Sequence, residues 1–327
     1  MRSSTPVVAA LSLLLAALSA SAWAQLVVDG HNHDAILLRR GVVDVTGLRE
    51  LASRGVGAVV VPLPLERTPT GDLLQRAERE VEALERAASA DPGFALADPG
   101  APPGAAGPGS VQVLLAIEWF RPIFGSDPGR ARLFRRLGIR MIGLAEEDPD
   151  RLFGRGAGAS SLTGLGRRVI TAMNECGVVI DVTHLSHAQK IAVISHSRAP
   201  VVASHSLARG VTPESFNLPD DVIAALAGHG GSVWVSFNRS DLLGGVDEDR
   251  TLELLLDHID YLAVRLGPEH VGIGSDLQAH GRYVPAELNR PDTFARIRQG
   301  LAARGYSRTS IDGILGGNVL SALGVRE

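Results

Sequence analysis

Runs of Val, Ile and Leu recur along the chain as short, nearly continuous apolar segments, without the apolar-polar alternation of a half-exposed antiparallel sheet. Eight such runs read as strands: Leu26–Val28, Val56–Val61, Val111–Ile117, Met141–Leu144, Val178–Val182, Pro200–Ala203, Ser232–Phe237 and Val271–Gly274. Between them the apolar positions change to helical spacing, over Leu74–Ala88, Ala131–Leu137, Leu165–Cys176, Ala188–Ser195, Asp220–Ala227, Leu252–Leu266, Phe294–Ala303 and Ile311–Leu323. Eight strands alternating with helices predict an α/β fold of the (β/α)8, or TIM-barrel, type, each strand covered by helices outside and by barrel interior within. Ser186-His187-Ala188-Gln189 and Thr309-Ser310-Ile311-Asp312 resemble capping boxes and predict helix starts.

Five of the runs end in residues able to bind a metal. They lead into His31 and His33, Glu118, His184, His205 and Asp276. A single histidine after an apolar run is more often a hydrogen-bonded structural residue. Six such groups on five runs instead predict a metal site at the carboxyl rim of a parallel barrel, where that fold places its chemistry. In extended chain His31 and His33 fall on the same side. His187, His196, His229, His258 and His270 fall where such a site does not need them and read as structural or surface residues. His280 follows the eighth strand closely enough to approach the pocket. Lys190 is the only lysine, the residue type that can form a carbamylated metal bridge.

The first residues carry a different pattern. Arg2 precedes an apolar stretch from Val7 to Leu18 and the small-x-small triplet Ala22-Trp23-Ala24, which reads as a secretory signal peptide over residues 1–24. An uncleaved amino-terminal anchor is the alternative, but the stretch falls short of the roughly 20 residues of a span. The expectation is an exported protein, periplasmic or secreted, with residues 25–327 forming one domain and no membrane span. Asp98–Gly109, rich in Pro and Gly, reads as a surface loop before the third strand. The formal net charge of -4 offers no basic surface for nucleic acid. Cys176 is the only cysteine, so no intrachain disulfide can form, and a free buried thiol is expected.

Several stretches together resemble the renal (membrane) dipeptidases, the M19 peptidases of the amidohydrolase superfamily. They are Asp29-Gly30-His31-Asn32, Ile117-Glu118, Val179 to Ser186, Ser197 to Ser206, Asn217-Leu218-Pro219-Asp220-Asp221, His270 to Asp276, and Ile314-Leu315-Gly316-Gly317-Asn318. The resemblance covers nearly all of the mature chain. It implies a metal-dependent hydrolase barrel with two zinc ions, the first bound by His31, the second by His184 and His205, and both bridged by Glu118. It also implies Asp276 beside the catalytic water, and dipeptide hydrolysis in which a metal-bridged hydroxide attacks the carbonyl while the aspartate moves protons to the departing amine. By analogy it implies a homodimer.

The chain departs from the family pattern at several positions. His33 stands where the family has an aspartate, so the predicted first metal has a His-x-His pair and less negative charge. Glu146 stands where a substrate-contacting histidine is expected, and could bind a substrate ammonium or be a solvated loop residue. Phe216 replaces an arginine that would clamp the substrate carboxylate, so free dipeptides should bind poorly unless Arg209, Arg239 or Arg282 compensates. Trp119 and Leu277-Gln278-Ala279-His280 remodel the pocket mouth. Three functions follow as expectations: a zinc dipeptidase, a metal-dependent hydrolase of another substrate such as a lactone or N-acyl amino acid, and a non-catalytic relative.

Overall fold

The computed structural model describes residues 26–39, 42–65, 73–97, 109–118, 123–145, 151–155, 161–245, 247–278 and 280–325. The expected leader, most of the Asp98–Gly109 loop, Trp119, Glu146 and Ala279 lie outside them.

All eight predicted runs become parallel strands of one sheet. In order around it they are β1 (Val27–Asp29), β4 (Val56–Pro62), β6 (Val111–Ile117), β7 (Ile139–Ala145), β8 (Val179–His184), β9 (Val202–Ala203), β10 (Ser232–Val235) and β11 (Val271–Ile273). The sheet curls on itself where the ends of β11 and β1 meet. The Gly30 amide donates to the Ile273 carbonyl (2.8 Å), Asp276 to His31 (2.9 Å) and His33 to Leu277 (2.8 Å). Every residue of β6 is buried, as the continuous apolar run requires of a strand covered on both faces.

Helices follow the strands as predicted: α2 (Leu73–Ala90), α3 (Arg130–Arg136), α4 (Gly164–Cys176), α5 (His187–His196), α6 (Asp220–Gly228), α8 (Thr251–Leu266) and α9 (Thr293–Ala303). Four pieces escape the sequence pattern: the antiparallel hairpin β2 (Leu37–Arg39) and β3 (Val42–Asp44), the short strand β5 (Phe94–Leu96) beside β6, and the helices α1 (Thr46–Ser53) and α7 (Arg239–Leu243). The Ser186 capping box forms as expected. The Thr309 box does not, because Ser307 caps α10 (Arg308–Asp312) by accepting from the Ser310 amide at 3.1 Å. The helix expected over Ile311–Leu323 is interrupted by a π-helical turn at Gly313–Gly317, whose three glycines are weak helix formers, before α11 (Asn318–Ala322). Cys176 is half-buried where a buried thiol was expected. It is free, and its Sγ donates to the Met173 carbonyl.

Among the described residues two apolar cores result. The larger lies between the sheet and the helices; the smaller fills the barrel with Val28, Val60, Leu114, Met141, Trp234 and the carboxyl-terminal Leu320 and Leu323. The Trp234 indole occupies the space that side chains at Gly30 and Gly272 would need: a Cβ on either would fall 2.5 and 2.7 Å from its ring. Trp234 thus packs directly against the glycine that precedes His31.

Candidate metal centre

Each of the six predicted groups follows or ends a barrel strand, and the rim gathers them into one cluster. His31 and His33 follow β1, Glu118 follows β6, His184 ends β8, His205 follows β9 and Asp276 follows β11. His31 and His33 turn to the same side, as chain alternation predicts, with Nε2 atoms 3.2 Å apart. The His184 and His205 Nε2 atoms form a second pair 3.0 Å apart. Donor atoms of His31, His33 and Glu118, of His31, His205 and Asp276, and of Glu118, His184 and His205 form three groups, each within a 4.8 Å span.

Glu118 sits between the two histidine pairs. Its Oε1 lies 2.6 Å from His184 Nε2 and 3.5 Å from His205 Nε2, while Oε2 lies 2.9 Å from His33 Nε2. Burial pushes its carboxyl up, but the charge of His31 and hydrogen bonds from His184, His31 and His33 outweigh burial and hold it well below the usual carboxylate range. His184 is displaced the other way: burial lowers it, and the Glu118 carboxylate more than restores it. Burial, reinforced by the neighbouring His31 and His184, holds His205 well below the usual imidazole range, which keeps it neutral.

Asp276 is buried beside this cluster with its backbone in the left-handed region at φ 55°. Gln278 Nε2 donates to both of its oxygens at 3.3 Å, and Asn238 Nδ2 reaches Oδ2 at 3.5 Å. Burial raises its carboxyl, against the lowering effect of His31 and His33. Beneath His31, the buried Asp29 accepts from the Asn32 amide group (2.8 Å) and from the Ser275 hydroxyl and amide (2.5 and 2.8 Å). Lys190 is no metal bridge: its Nζ donates to the carbonyls of Thr183 and Leu185, on either side of His184.

Phe216 reaches the rim, its ring centroid 5.6 Å from that of His184. The loop carrying it is pinned: Asn217 Nδ2 donates to the carbonyls of Thr212 and Asp241, and Arg209 to those of Glu214 and Ser215. Arg239 pairs with Glu248 and donates to the Val284 carbonyl, and the exposed Arg282 lies over the Tyr283 ring at 6.0 Å. His280 is exposed and lines a separate cavity of about 270 Å³ with Asp34, Asp44 and Glu50. His187 pairs with Asp221 and His229 with the Ala199 carbonyl, while His258 is buried between the Ala208 amide and the Thr212 hydroxyl. Sequence reasoning placed Gln278 at the pocket mouth without its contact to Asp276, and missed the supporting parts of Asn238, Asp181 and Ser204, whose bonds to one another and to the clustered groups include ones made across strands distant in sequence.

Imidazole and carboxylate donors gathered at the carboxyl rim of a parallel barrel belong to the class of metal-dependent hydrolases built on that fold. Within that class the chain is a member of the membrane dipeptidase family, peptidase family M19, whose model matches residues 20–327. It is similar to Dipeptidase aclJ of Aspergillus oryzae, 34% identical over 224 residues that make up 66% of this chain and 52% of that protein. It is also similar to Dipeptidase 3 of Rattus norvegicus, 29% identical over 90% of this chain and 63% of that protein. The chain therefore spans between about half and two thirds of the length of these curated relatives. The crystal structure of dipeptidase AC, a metallopeptidase of family M19, superposes with a TM-score of 0.69 at 26% identity, covering 91% of this chain and 97% of that one. Among the described residues no helix is long and apolar enough to cross a membrane.

Proposed function

We propose that the protein is an exported zinc-dependent dipeptidase, hydrolysing a dipeptide or a closely related amide. The observation that carries this reading is the convergence of His31, His33, Glu118, His184, His205 and Asp276 on one rim. The donor set suits a pair of zinc ions: it is all imidazole nitrogen and carboxylate oxygen, Glu118 is held anionic and His205 neutral. His31 and His33 would hold one ion and His184 and His205 the other, with Glu118 reaching both through its two oxygens.

When bound, the ions supply a Lewis acid for the scissile carbonyl and bring the pKa of water toward neutrality. The protein supplies the proton traffic. Asp276 takes the proton of the attacking water and returns it to the departing amine, and its burial and raised pKa suit a group that must hold a proton in passing. Gln278 and Asn238 fix the direction of its oxygens. Phe216 covers one side of His184 with an apolar ring and offers no charge to a free carboxylate.

Phe216 also favours a second reading in which the centre acts on a substrate other than a free dipeptide, such as a lactone or an N-acyl amino acid. Two of the three arginines named as replacements for the missing clamp have other partners: Arg209 within its own loop and Arg239 with Glu248. Hydrolysis of a panel of L,L- and L,D-dipeptides, lactones and N-acyl amino acids by zinc-loaded protein tests both readings. Dipeptide turnover that a chelator removes supports the first. Turnover confined to the other substrates supports the second, and none on any substrate refutes both.

A further inference from the structure

Ser204 lies against the inner side of two ligand histidines. Its hydroxyl has one hydrogen to give and two lone pairs to receive. The hydrogen goes to Asp181 Oδ2 at 2.6 Å. That carboxylate is buried and already accepts through Oδ1 from the amides of Thr183 and Ser204 and from the Thr183 hydroxyl. The lone pairs of Ser204 Oγ then face His205 Nδ1 at 2.8 Å and His31 Nδ1 at 3.4 Å. A lone pair is met favourably only by an N–H. Both imidazoles therefore carry a proton on Nδ1, which leaves Nε2, the nitrogen nearer Glu118 Oε1 at 3.6 Å for His31 and 3.5 Å for His205, as the one that would bind a metal. The two rings lie side by side, centroids 4.1 Å apart.

We propose that Ser204 is a shared positioning residue. Through one hydroxyl, oriented by Asp181, it fixes the tautomers of His31 and His205 and so couples both metal positions to a single hydrogen-bond relay. The inference rests on the metal-centre reading above, because His31 and His205 belong to different halves of that centre. A serine serving one histidine would tune one ion. A serine serving both makes the two ions bind or fail together.

Two measurements on purified full-length protein test this. Nitrogen-15 NMR of histidine-labelled, metal-free wild type should give His31 and His205 as Nδ1–H tautomers, and a resolved Nε2–H tautomer for either residue overturns the proposal without any variant. Calorimetric titration with Zn²⁺ should then show Ser204→Ala weakening both binding steps, each by roughly 10- to 100-fold as expected for loss of an orienting partner. Ser204→Thr, which keeps a hydroxyl, should restore both. Weakening of one step only, or of neither, refutes the coupling. A wild type that binds no Zn²⁺ refutes the metal-centre reading instead, while the tautomers of the metal-free protein still judge the relay.

Discussion

Asp29 and Ser275 stand 246 positions apart in sequence and are joined by two hydrogen bonds, the carboxylate accepting from the serine hydroxyl at 2.5 Å and from its amide at 2.8 Å. The pair sits where β11 meets β1, one residue from Asp276 and two from His31, so barrel closure and placement of the site are the same event. Asp29→Ala leaves the Ser275 and Asn32 donors buried without their acceptor. It should lower unfolding free energy by about 3 kcal/mol, read as a shift in the denaturation midpoint. A shift near zero would mean that the seam is held by its backbone bonds alone.

Glu118 is the residue on which both histidine pairs depend. Glu118→Gln keeps the shape but removes the charge, and should cost more activity than the roughly 10- to 100-fold attached to a supporting residue. Zinc content measured by atomic absorption should fall below two ions per chain. Wild-type turnover in this variant would end the assignment.

Phe216 controls what lies beside His184. Phe216→Arg restores a cation at the rim and should lower KM for free dipeptides at least about tenfold, worth ~1.4 kcal/mol, with little effect on a substrate lacking a carboxylate. Steady-state kinetics on matched free-acid and amide substrates separates the two. An equal change on both would show that the ring acts only by its bulk.

His258 predicts an acid limit unrelated to the metal centre. Burial lowers its pKa from the ordinary 6.5 to about 3, and it accepts the Ala208 amide through Nδ1, so it folds neutral. The unfolded chain binds a proton below pH 6.5 and the folded chain does not, so stability is fully present above 6.5 and is lost as pH falls toward 3. The loss is about 1.4 kcal/mol by one unit below 6.5. His258→Asn should shrink the drop in melting temperature between pH 7 and pH 5, and an unchanged drop would assign acid sensitivity to other groups.

The barrel was legible because a buried parallel strand writes itself as an unbroken apolar run, and the candidate ligands were legible because five of the eight runs stop at one. Pieces with too few buried positions were not. β2, β3 and β5 have three residues each, and α1 buries only Leu48 and Leu51. The relay from Asp181 through Ser204 to His31, and the Asn238 amide on Asp276, leave no spacing signal, since each joins strands distant in sequence; Gln278 stands two residues from Asp276, but nothing in the pattern says which way its amide turns. The π-helical turn at Gly313–Gly317 was hidden for the opposite reason: its apolar residues keep helical spacing while its glycines loosen the backbone.

The indole of Trp234 fixes how the barrel is filled beneath the site. It fills the barrel immediately below the segment that presents His31, in space left open by Gly30 and Gly272. The three positions are therefore coupled: adding bulk at either glycine demands a simultaneous change in the tryptophan, whereas a smaller residue in place of Trp234 would leave a void beneath the segment that carries His31. Variation at this point of the barrel must start with the tryptophan and not with the glycines.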